Sequence, residues 1–206
     1  GQYVNLFVAI DGVRTSRPYS ISSAPGGQHI DLTVKASGDG GFVAPYLARK
    51  VEPLEKFVSS GPMGSFCYEP LIHGRDLVFI AAGSGITPFM STIRGFASSR
   101  EQPPRIHLIY GSREGDVIFR DELEVLASAH DWLELSLVLS NSSRDWNGHR
   151  GRIDGAIIGD IVGLPGNRMF SVCGPDGLNR TAEHALESMG VERHRIAREM
   201  YGGSHD

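Results

Sequence analysis

The pattern of hydrophobic and polar positions divides the chain into two parts. Up to residue 73, short runs such as residues 30–36 alternate between apolar and polar side chains and are separated by glycine and proline turns. This pattern is typical of antiparallel β structure. From residue 74 onward, continuous apolar runs alternate with segments of helical spacing, which predicts a mainly parallel sheet covered by helices on both faces. We therefore expect an all-β domain over residues 1–73 and an α/β domain over residues 74–206.

The same pattern predicts the individual elements. In the first part, strands are expected near residues 3–10, 17–22, 30–36 and 57–60, with one or two helical turns at 44–50. In the second part, the expected strands are 77–82, 106–111, 133–139, 169–173 and 196–201, and the expected helices are 87–98, 121–128, 154–162 and 176–189. The short strands of the first part indicate a small antiparallel barrel. A closed barrel usually needs about 100 residues, so we expect an N-terminally incomplete barrel, in a fragment or in a chain whose first strands lie elsewhere.

Composition narrows the class of protein. The 206 residues are 40% hydrophobic and 21% charged, as in globular proteins, and the net charge of −4 gives no basic field for nucleic acid. No apolar run approaches the roughly 20 residues of a membrane span, and the N-terminus carries no basic leader. Cys67 and Cys173 are too few for an iron–sulfur or zinc site, and the histidines lack metal-ligand spacing. We expect a cytoplasmic protein with free thiols and no metal site, with one disulfide as the alternative.

Residues 77–94 combine a buried strand, a glycine turn and a helix start. The turn spans residues 83–85, and Thr87 is expected to be the helix N-cap with Pro88 at the first helical position. Backbone N–H groups and the helix dipole at such a junction favour an anion, and the pyrophosphate of a dinucleotide is the obvious candidate. A tight turn in an ordinary α/β domain is the alternative, because Pro88 stands where the usual dinucleotide fingerprint has its third glycine.

A second cluster, Arg17-Pro18-Tyr19-Ser20, lies in the first part. Arginine offers a planar fork for phosphate oxygens, tyrosine a flat face for an aromatic ring, and serine a small donor at a ring edge. On a strand, Arg17 and Tyr19 project to one side and Ser20 to the other. Taken as isolated residues, they fit plain barrel surface as well.

A series of short motifs gives these clusters a common context. RPYS at residues 17–20, TVK at 33–35, GGFV at 40–43 and SGPMGSF at 60–66 resemble the flavin domain of the ferredoxin–NADP reductase superfamily. GSGITP at 83–88, YGSR at 110–113, FRDEL at 119–123 and CGPDG at 173–177 resemble its nicotinamide domain. The motifs occur in the family's order and cover nearly the whole chain. The resemblance implies a flavin-binding β-barrel followed by an NAD(P)-binding α/β domain.

The resemblance also implies an activity. A flavoprotein reductase of this kind takes hydride from NADPH or NADH onto FAD, with FMN as the alternative flavin, and passes electrons singly onward. The implied acceptor is a ferredoxin or [2Fe–2S] domain, in another chain or outside this segment, which serves an oxygenase, hydroxylase or desaturase. A diaphorase-type flavin or quinone reductase stays open as an alternative. So does a non-catalytic flavin- or nucleotide-binding regulatory module.

On the flavin side, the resemblance assigns a role to each motif residue. Arg17 contacts the flavin phosphates, Tyr19 packs on the isoalloxazine, and Ser20 hydrogen-bonds near its N5. The remaining flavin-binding candidates line the ring through backbone groups or cradle the pyrophosphate: Pro18, Thr33, Val34, Lys35, Gly41, Phe42, Val43 and Ala44. Family members often carry serine or threonine where this chain has Ala44, which puts one hydroxyl contact in doubt.

On the nicotinamide side, the resemblance places Thr87 between the two cofactors and Cys173 beside the nicotinamide C4. Cys173 then positions the ring for hydride transfer, although a plain buried cysteine is the alternative. The other expected cofactor contacts are Gly83, Ser84 and Gly85 at the pyrophosphate and Gly174, Pro175 and Asp176 beside the nicotinamide. Tyr201 covers the flavin face or simply packs on the last strand. The expected catalytic residues are therefore Cys173, Ser20, Tyr19 and Thr87.

Two pairs of residues bear on the choice between NADPH and NADH. Ser112 and Arg113 follow one predicted strand, and Ser140 and Arg144 follow the next. Each pair could bind a ribose 2′-phosphate, and no acidic residue stands directly after Tyr110 to grip a 2′-hydroxyl. The sequence thus favours NADPH over NADH.

Overall fold

The computed structural model describes residues 1–36, 41–49 and 56–200. Residue 201 and most of the glycine-rich turn at 37–41 lie outside the described residues. The first part contains an antiparallel sheet in the order β2-β1-β3, made of β1 (Tyr3–Ile10), β2 (Val13–Ser20) and β3 (Val58–Ser59). Helix α1 (Val43–Arg49) follows the turn. Asp11 and Gly12 join β1 to β2 with φ of 48° and 82°, a two-residue turn that matches the twist of a hairpin.

The prediction of a strand at residues 30–36 is wrong. In the described chain this segment makes a single isolated bridge, between Ile21 and Leu32. Side-chain hydroxyls take part in the hydrogen bonding here: Ser23 Oγ accepts the Asp31 N–H at 3.1 Å, and the Ser22 and Thr33 hydroxyls bond to each other at 2.9 Å. Serine and threonine side chains that bond locally compete with a backbone ladder, so the segment runs beside β2 without forming a regular strand.

The second part is the α/β unit that the sequence predicts. Up to residue 200, its strands are β4 (Asp76–Ala82), β5 (Arg105–Arg113), β6 (Leu133–Ser140), β7 (His149–Arg150), β8 (Met169–Gly174) and β9 (Ile196–Met200). They are all parallel, in the order β7-β6-β5-β4-β8-β9. The short helix α2 (Pro70–His73) ends the first part. The helices of the second part are α3 (Thr87–Ser98), α4 (Arg120–Ala129), α5 (Gly155–Val162) and α6 (Asp176–Ser188). Among the strands in the described residues, the two-residue β7 is the one that the sequence pattern misses.

The central strand β4 is buried on both faces. Leu77 and Phe79 belong to one core, under α3 and α4, whereas Val78 and Ile80 belong to the other, under α5 and α6. Each of these four side chains is at most 4% exposed. A strand covered on both sides reads as a continuous apolar run, which explains why the sequence predicts it well.

The described helices are short, and among α2 to α6 only α5 has a side-chain N-cap. Helix α5 begins after Asp154, whose carboxylate accepts the Ile157 N–H at 2.9 Å, as N-cap residues commonly do. The longest described helix, α6, has 13 residues. Within the described ranges, none of the helices has the length and hydropathy required to cross a bilayer.

The strand order defines where a ligand can bind. The chain runs outward from β4 through β5 and β6, then returns to place β8 on the other side of β4. In open α/β sheets, the crevice beyond the carboxyl ends of the strands at such a reversal is the usual ligand site. This point lies where β4 and β8 end, at Ala82 and Gly174.

Candidate active site

The glycine turn, Gly83–Ile86, connects β4 to α3 as one turn of 3₁₀ helix. Gly83 has φ of +55°, a conformation that glycine adopts without strain. Gly85 packs directly on the end of β8, because a Cβ there would lie 2.1 Å from the Cys173 carbonyl oxygen and 2.8 Å from the Gly174 Cα. The turn can therefore reach this position only with glycine at residue 85.

Thr87 does not cap α3 as expected. Its φ of −58° and ψ of −46° are already helical, and Ile86 is the residue before the helix. The preceding 3₁₀ turn winds directly into α3, so no extended capping residue fits at position 87. The buried Thr87 hydroxyl instead donates to the Ser84 carbonyl at 2.9 Å, which holds the glycine turn closed.

Tyr110 supports the glycine turn from below. Its side chain is fully buried on β5, and its hydroxyl donates to the Gly83 carbonyl at 3.0 Å and accepts the Ile118 N–H at 3.2 Å. Burial raises the pKa of Tyr110 far above its ordinary value, so the hydroxyl keeps its proton. Sequence reasoning assigned Tyr110 no role, although a tyrosine on an otherwise apolar buried strand is a signal that its hydroxyl has a partner.

Tyr110→Phe is expected to destabilise the protein by about 1–3 kcal/mol, because it removes the partner of a carbonyl and an N–H in a buried place. Tyr68→Phe is the matched control, since the Tyr68 hydroxyl also donates to a glycine carbonyl, that of Gly74, but in an exposed position. Urea unfolding of the three proteins measures the difference. Equal stability losses in both variants would contradict the buried role of Tyr110.

A cleft of about 760 Å³ lies beyond the ends of β4, β5, β6 and β8. We call it the strand-end cleft. Of the expected cofactor contacts, it is lined by Lys35, Gly83, Ser112, Arg113, Ser140 and Pro175. Its described lining also includes residues that sequence reasoning missed, among them Arg152, Asp154 and Thr181. Arg144 is not among the described lining residues, and its carbonyl accepts from Arg150 Nη2 at 3.0 Å. Two arginines, Arg113 and Arg152, thus face this cleft.

Charged groups from both parts of the chain meet at the strand-end cleft. Lys35 Nζ lies 3.9 Å from an Asp116 carboxylate oxygen and 3.9 Å from the place where a Cβ on Gly83 would stand. Asp116 also pairs with Arg113. The first part therefore delivers a cation to the glycine turn, a contact that the sequence does not reveal.

Arg17, Tyr19 and Ser20 all lie on β2. Arg17 Nη1 donates to Thr15 Oγ1 at 2.9 Å and to the Ser16 carbonyl at 2.7 Å, which holds the guanidinium along the strand. Tyr19 is partly buried, and burial raises the pKa of its phenol while the nearby Arg17 lowers it. Ser20 is 4% exposed and pairs with Tyr3 at the end of the sheet.

The other expected flavin contacts lie on both sides of residues 37–40. Gly41 has φ of +97°, and Phe42 is exposed. Val43, at the start of α1, buries its side chain in a small core with Val8 and Ile10, so only its backbone is left to face a ligand. Ala44 follows in α1, and Thr33 and Val34 are half-buried in the segment beside β2.

Cys173 lies at the buried end of β8, in register with Ala81 on one side and Glu199 on the other. Burial raises the pKa of Glu199, whereas the Gly1 amino group lowers it. One carboxylate oxygen of Glu199 is buried and has no hydrogen-bond partner among the described residues. Burial lowers the pKa of the Gly1 amino group, whereas electrostatic interaction with Cys67, Glu199 and Cys173 raises it. The Gly1 amino group, two residues before the start of β1, therefore interacts electrostatically with the Cys173–Glu199 pair of β8 and β9.

Asn179 ties these strand ends together. It is 1% exposed, and its Nδ2 donates to the Gly174 carbonyl at 2.9 Å and to the Glu199 carbonyl at 3.3 Å. Tyr19, Ser20, Thr87 and Cys173 do not line the described part of the strand-end cleft. Tyr201 lies outside the described residues.

The geometry fits an anionic dinucleotide. Because residue 85 has no side chain, the backbone of the glycine turn packs directly against the end of β8. The cationic side chains of Lys35, Arg113 and Arg152 line the strand-end cleft, which Gly83 of the turn also lines. Backbone N–H groups with flanking cations form the arrangement that binds pyrophosphate and phosphate groups. The chain's residues therefore suit the cofactors that the resemblance implies.

Comparison with known proteins identifies the two parts. The family described as oxidoreductase FAD-binding domain matches residues 1–68. The family described as oxidoreductase NAD-binding domain matches residues 79–184, about half of the chain. These two matches indicate FAD and NAD(P)H as the cofactors.

Individual proteins agree with the family matches. Ferredoxin–NADP reductase B of Sorangium cellulosum is 35% identical over 98% of this chain and 84% of its own length. NADH-cytochrome b5 reductase 1 of Dictyostelium discoideum is 28% identical over 95% and 68%. The crystal structure of the FAD/NAD-binding domain of nitric oxide dioxygenase from Vibrio cholerae is 25% identical, with a TM-score of 0.86 over 98% of this chain and 84% of that one. The chain belongs to the ferredoxin–NADP reductase superfamily and is an NAD(P)H-dependent flavin oxidoreductase.

Proposed function

We propose that this chain passes electrons from NAD(P)H through FAD to a ferredoxin or [2Fe–2S] domain that serves an oxygenase, hydroxylase or desaturase. Bound FAD accepts a hydride and releases electrons one at a time, which couples a two-electron donor to a one-electron acceptor. The 35% identical relative is named for ferredoxin. This name supports the choice of acceptor.

The cluster belongs outside this sequence. A ferredoxin-type [2Fe–2S] centre takes four cysteine ligands, and the sequence contains only two cysteines, Cys67 and Cys173. Both are free thiols, and Cys173 is buried. The acceptor is therefore another chain or a segment beyond residues 1–206.

Within the chain, each part has its own task. Residues 1–73 hold FAD, with Arg17 at its phosphates, Tyr19 on the ring and Ser20 near N5. Residues 74–206 hold NAD(P)H, with the glycine turn at the pyrophosphate and Cys173 positioning the nicotinamide. The observation that carries this assignment is the packing of Gly85 on the Cys173–Gly174 backbone. This packing fixes the phosphate-binding turn against the end of β8, where Cys173 would position the nicotinamide. The main contribution of the protein to hydride transfer is therefore the orientation of the nicotinamide.

A panel of acceptors tests the proposal. The purified full chain, reconstituted with FAD, is reduced by NADPH or NADH without oxygen and then mixed with a [2Fe–2S] ferredoxin, with cytochrome b5 or with a quinone. We expect reoxidation by the ferredoxin to have the highest kcat/KM. Faster reoxidation by cytochrome b5, the acceptor named for the Dictyostelium relative, would overturn the proposed acceptor, and faster quinone reduction would indicate a diaphorase.

Arg152 is expected to bind the 2′-phosphate of NADPH. Both Arg113 and Arg152 line the strand-end cleft, but Arg113 already pairs with Asp116. Loss of a charge-assisted contact costs about 1.5–3 kcal/mol, so Arg152→Ala should raise the KM for NADPH about tenfold and leave that for NADH within about twofold. Arg144→Ala, the change suggested by sequence alone, is the comparison. Steady-state kinetics with both nucleotides decides between the two arginines, and a selective effect of Arg144→Ala alone would reverse the assignment.

A further inference from the structure

Arg94 joins the two parts of the chain through one side chain. It lies on α3, and its Nε and Nη2 donate to the two carboxylate oxygens of Glu122 on α4, each at 2.7 Å. Its remaining terminal nitrogen, Nη1, donates to the Ser22 carbonyl of the first part, also at 2.7 Å. The planar guanidinium thus spans from the second part to the first with a fixed geometry.

Further contacts surround the same guanidinium. It lies 4.7 Å from the centre of the Phe119 ring and 3.9 Å from the carboxylate of Asp31, and the Arg94 side chain is only 21% exposed. The next residue, Gly95, packs closely as well, since a Cβ there would meet Pro25 Cδ at 3.0 Å. Helix α3 therefore rests directly on residues 22–31 of the first part.

The position of Arg94 along α3 connects it to the cofactor region. Thr87 and Arg94 are seven residues apart, so they lie on the same face of the helix, about 10 Å from each other along its axis. Thr87 begins α3 and bonds back to the glycine turn. In the first part, Ser20 is the last residue of β2, and Ser22 lies two residues after it. Arg94 thus links the helix that carries the nicotinamide turn to the backbone that carries the expected flavin donor.

We propose that Arg94 is a positioning residue for hydride transfer, because it sets the separation between the first part and the glycine turn. Hydride transfer depends steeply on the distance and angle between donor and acceptor atoms, and a misplacement of about 1 Å can slow a reaction about 100-fold. Arg94 contributes to this geometry without touching either cofactor. The inference rests on the family activity alone and does not depend on which acceptor takes the electrons.

Three variants separate positioning from general stabilisation. Arg94→Met keeps most of the aliphatic stem and removes the guanidinium. Arg94→Lys keeps the charge but loses the planar fork that reaches Glu122 and Ser22 together. Arg120→Met is the matched control, because Arg120 also pairs with a glutamate, Glu124, at 2.9 Å and lies 5.8 Å from an aromatic ring, that of Trp146, entirely within the second part.

The first readout is anaerobic stopped-flow reduction of the FAD-loaded chain with increasing NADPH, without any acceptor. Arg94→Met is expected to lower the limiting reduction rate about 10- to 100-fold with the NADPH Kd changed less than about threefold. Arg94→Lys should fall between Arg94→Met and the unaltered chain, and Arg120→Met should match the unaltered chain. A limiting rate for Arg94→Met within about twofold of that for Arg120→Met would overturn the proposal.

The second readout needs no cofactor. Hydrogen exchange of the chain without flavin should become faster in residues 20–33 in Arg94→Met, because the Ser22 carbonyl and its segment lose their anchor, and should not change there in Arg120→Met. Unchanged exchange in this segment would also overturn the proposal. If Arg94→Met does not fold, Arg94→Lys takes its place under the same two criteria.

Discussion

Gly85→Ala is expected to cause a large loss of activity. The new Cβ would lie 2.1 Å from the Cys173 carbonyl oxygen and 2.6 Å from its carbon. Both atoms belong to the backbone of a strand that is bonded on either side to β4 and β9, so the glycine turn is the element that has to move. Overpacking of this kind costs about 1–3 kcal/mol. A turn displaced by about 1 Å should slow NAD(P)H-dependent flavin reduction about 100-fold.

Stopped-flow reduction and urea unfolding of Gly85→Ala measure both effects. Gly159→Ala is the control, because Gly159 lies within α5 and a Cβ there would meet nothing within 4 Å. That substitution should raise stability by up to about 1 kcal/mol through helix propensity and leave reduction unchanged. A Gly85→Ala protein with the reduction rate of the control would show that the close packing on β8 has no functional part.

Arg17→Ala is expected to have the second largest effect, on flavin binding. The guanidinium is held beside Tyr19 by Thr15 and by the Ser16 carbonyl, so it is already ordered when a phosphate arrives. A hydrogen bond between charged groups contributes about 1.5–3 kcal/mol, and its loss should raise the Kd for FAD about 10- to 100-fold. Fluorescence titration of the flavin-free chain with FAD measures this Kd directly.

Arg14→Ala supplies the control for Arg17→Ala. Arg14 lies on the same strand, at its exposed end beside the hairpin turn. Its removal changes the net charge equally but should leave the Kd for FAD within about twofold. An unchanged flavin affinity in Arg17→Ala, or an equal change in Arg14→Ala, would remove Arg17 from the flavin site.

The second part was predictable from sequence because its signals are local. Strand β4 is an unbroken apolar run, and the strands and helices that follow it begin within a few residues of the predicted positions. The strand at residues 30–36 failed for a physical reason. Its alternation is that of a half-buried strand, but Ser22, Ser23 and Thr33 bond through their hydroxyls beside it. An alternating pattern predicts which side chains are buried, but it does not show whether nearby hydroxyl groups compete for the backbone hydrogen bonds of a strand.

The contacts that assemble the candidate site lie far apart along the chain. Arg94 bonds Ser22 across 72 residues and Glu122 across 28, and Tyr110 bonds Gly83 across 27. No periodicity links such pairs. The motif residues Arg17 and Gly85 were identifiable because each stands in a short recognisable pattern, whereas Arg94 and Arg152 carry no pattern of their own. The sequence therefore predicts the strand ends where cofactors bind, but it does not predict the side chains that hold the two parts of the chain together.

The ion pairs of Asp116 have a consequence for turnover. The Asp116 carboxylate forms ion pairs with Lys35 and Arg113, which line the strand-end cleft. It therefore occupies two cations that the negative charge of a nucleotide could otherwise pair with. A phosphate that bound Lys35 or Arg113 would have to exchange with this carboxylate, and the net gain would be the difference between two charge-assisted contacts. Such an internal competitor limits how tightly the spent nucleotide is retained. A reductase must release one oxidised nucleotide for every electron pair that it delivers. A limit on the affinity for that nucleotide therefore favours turnover.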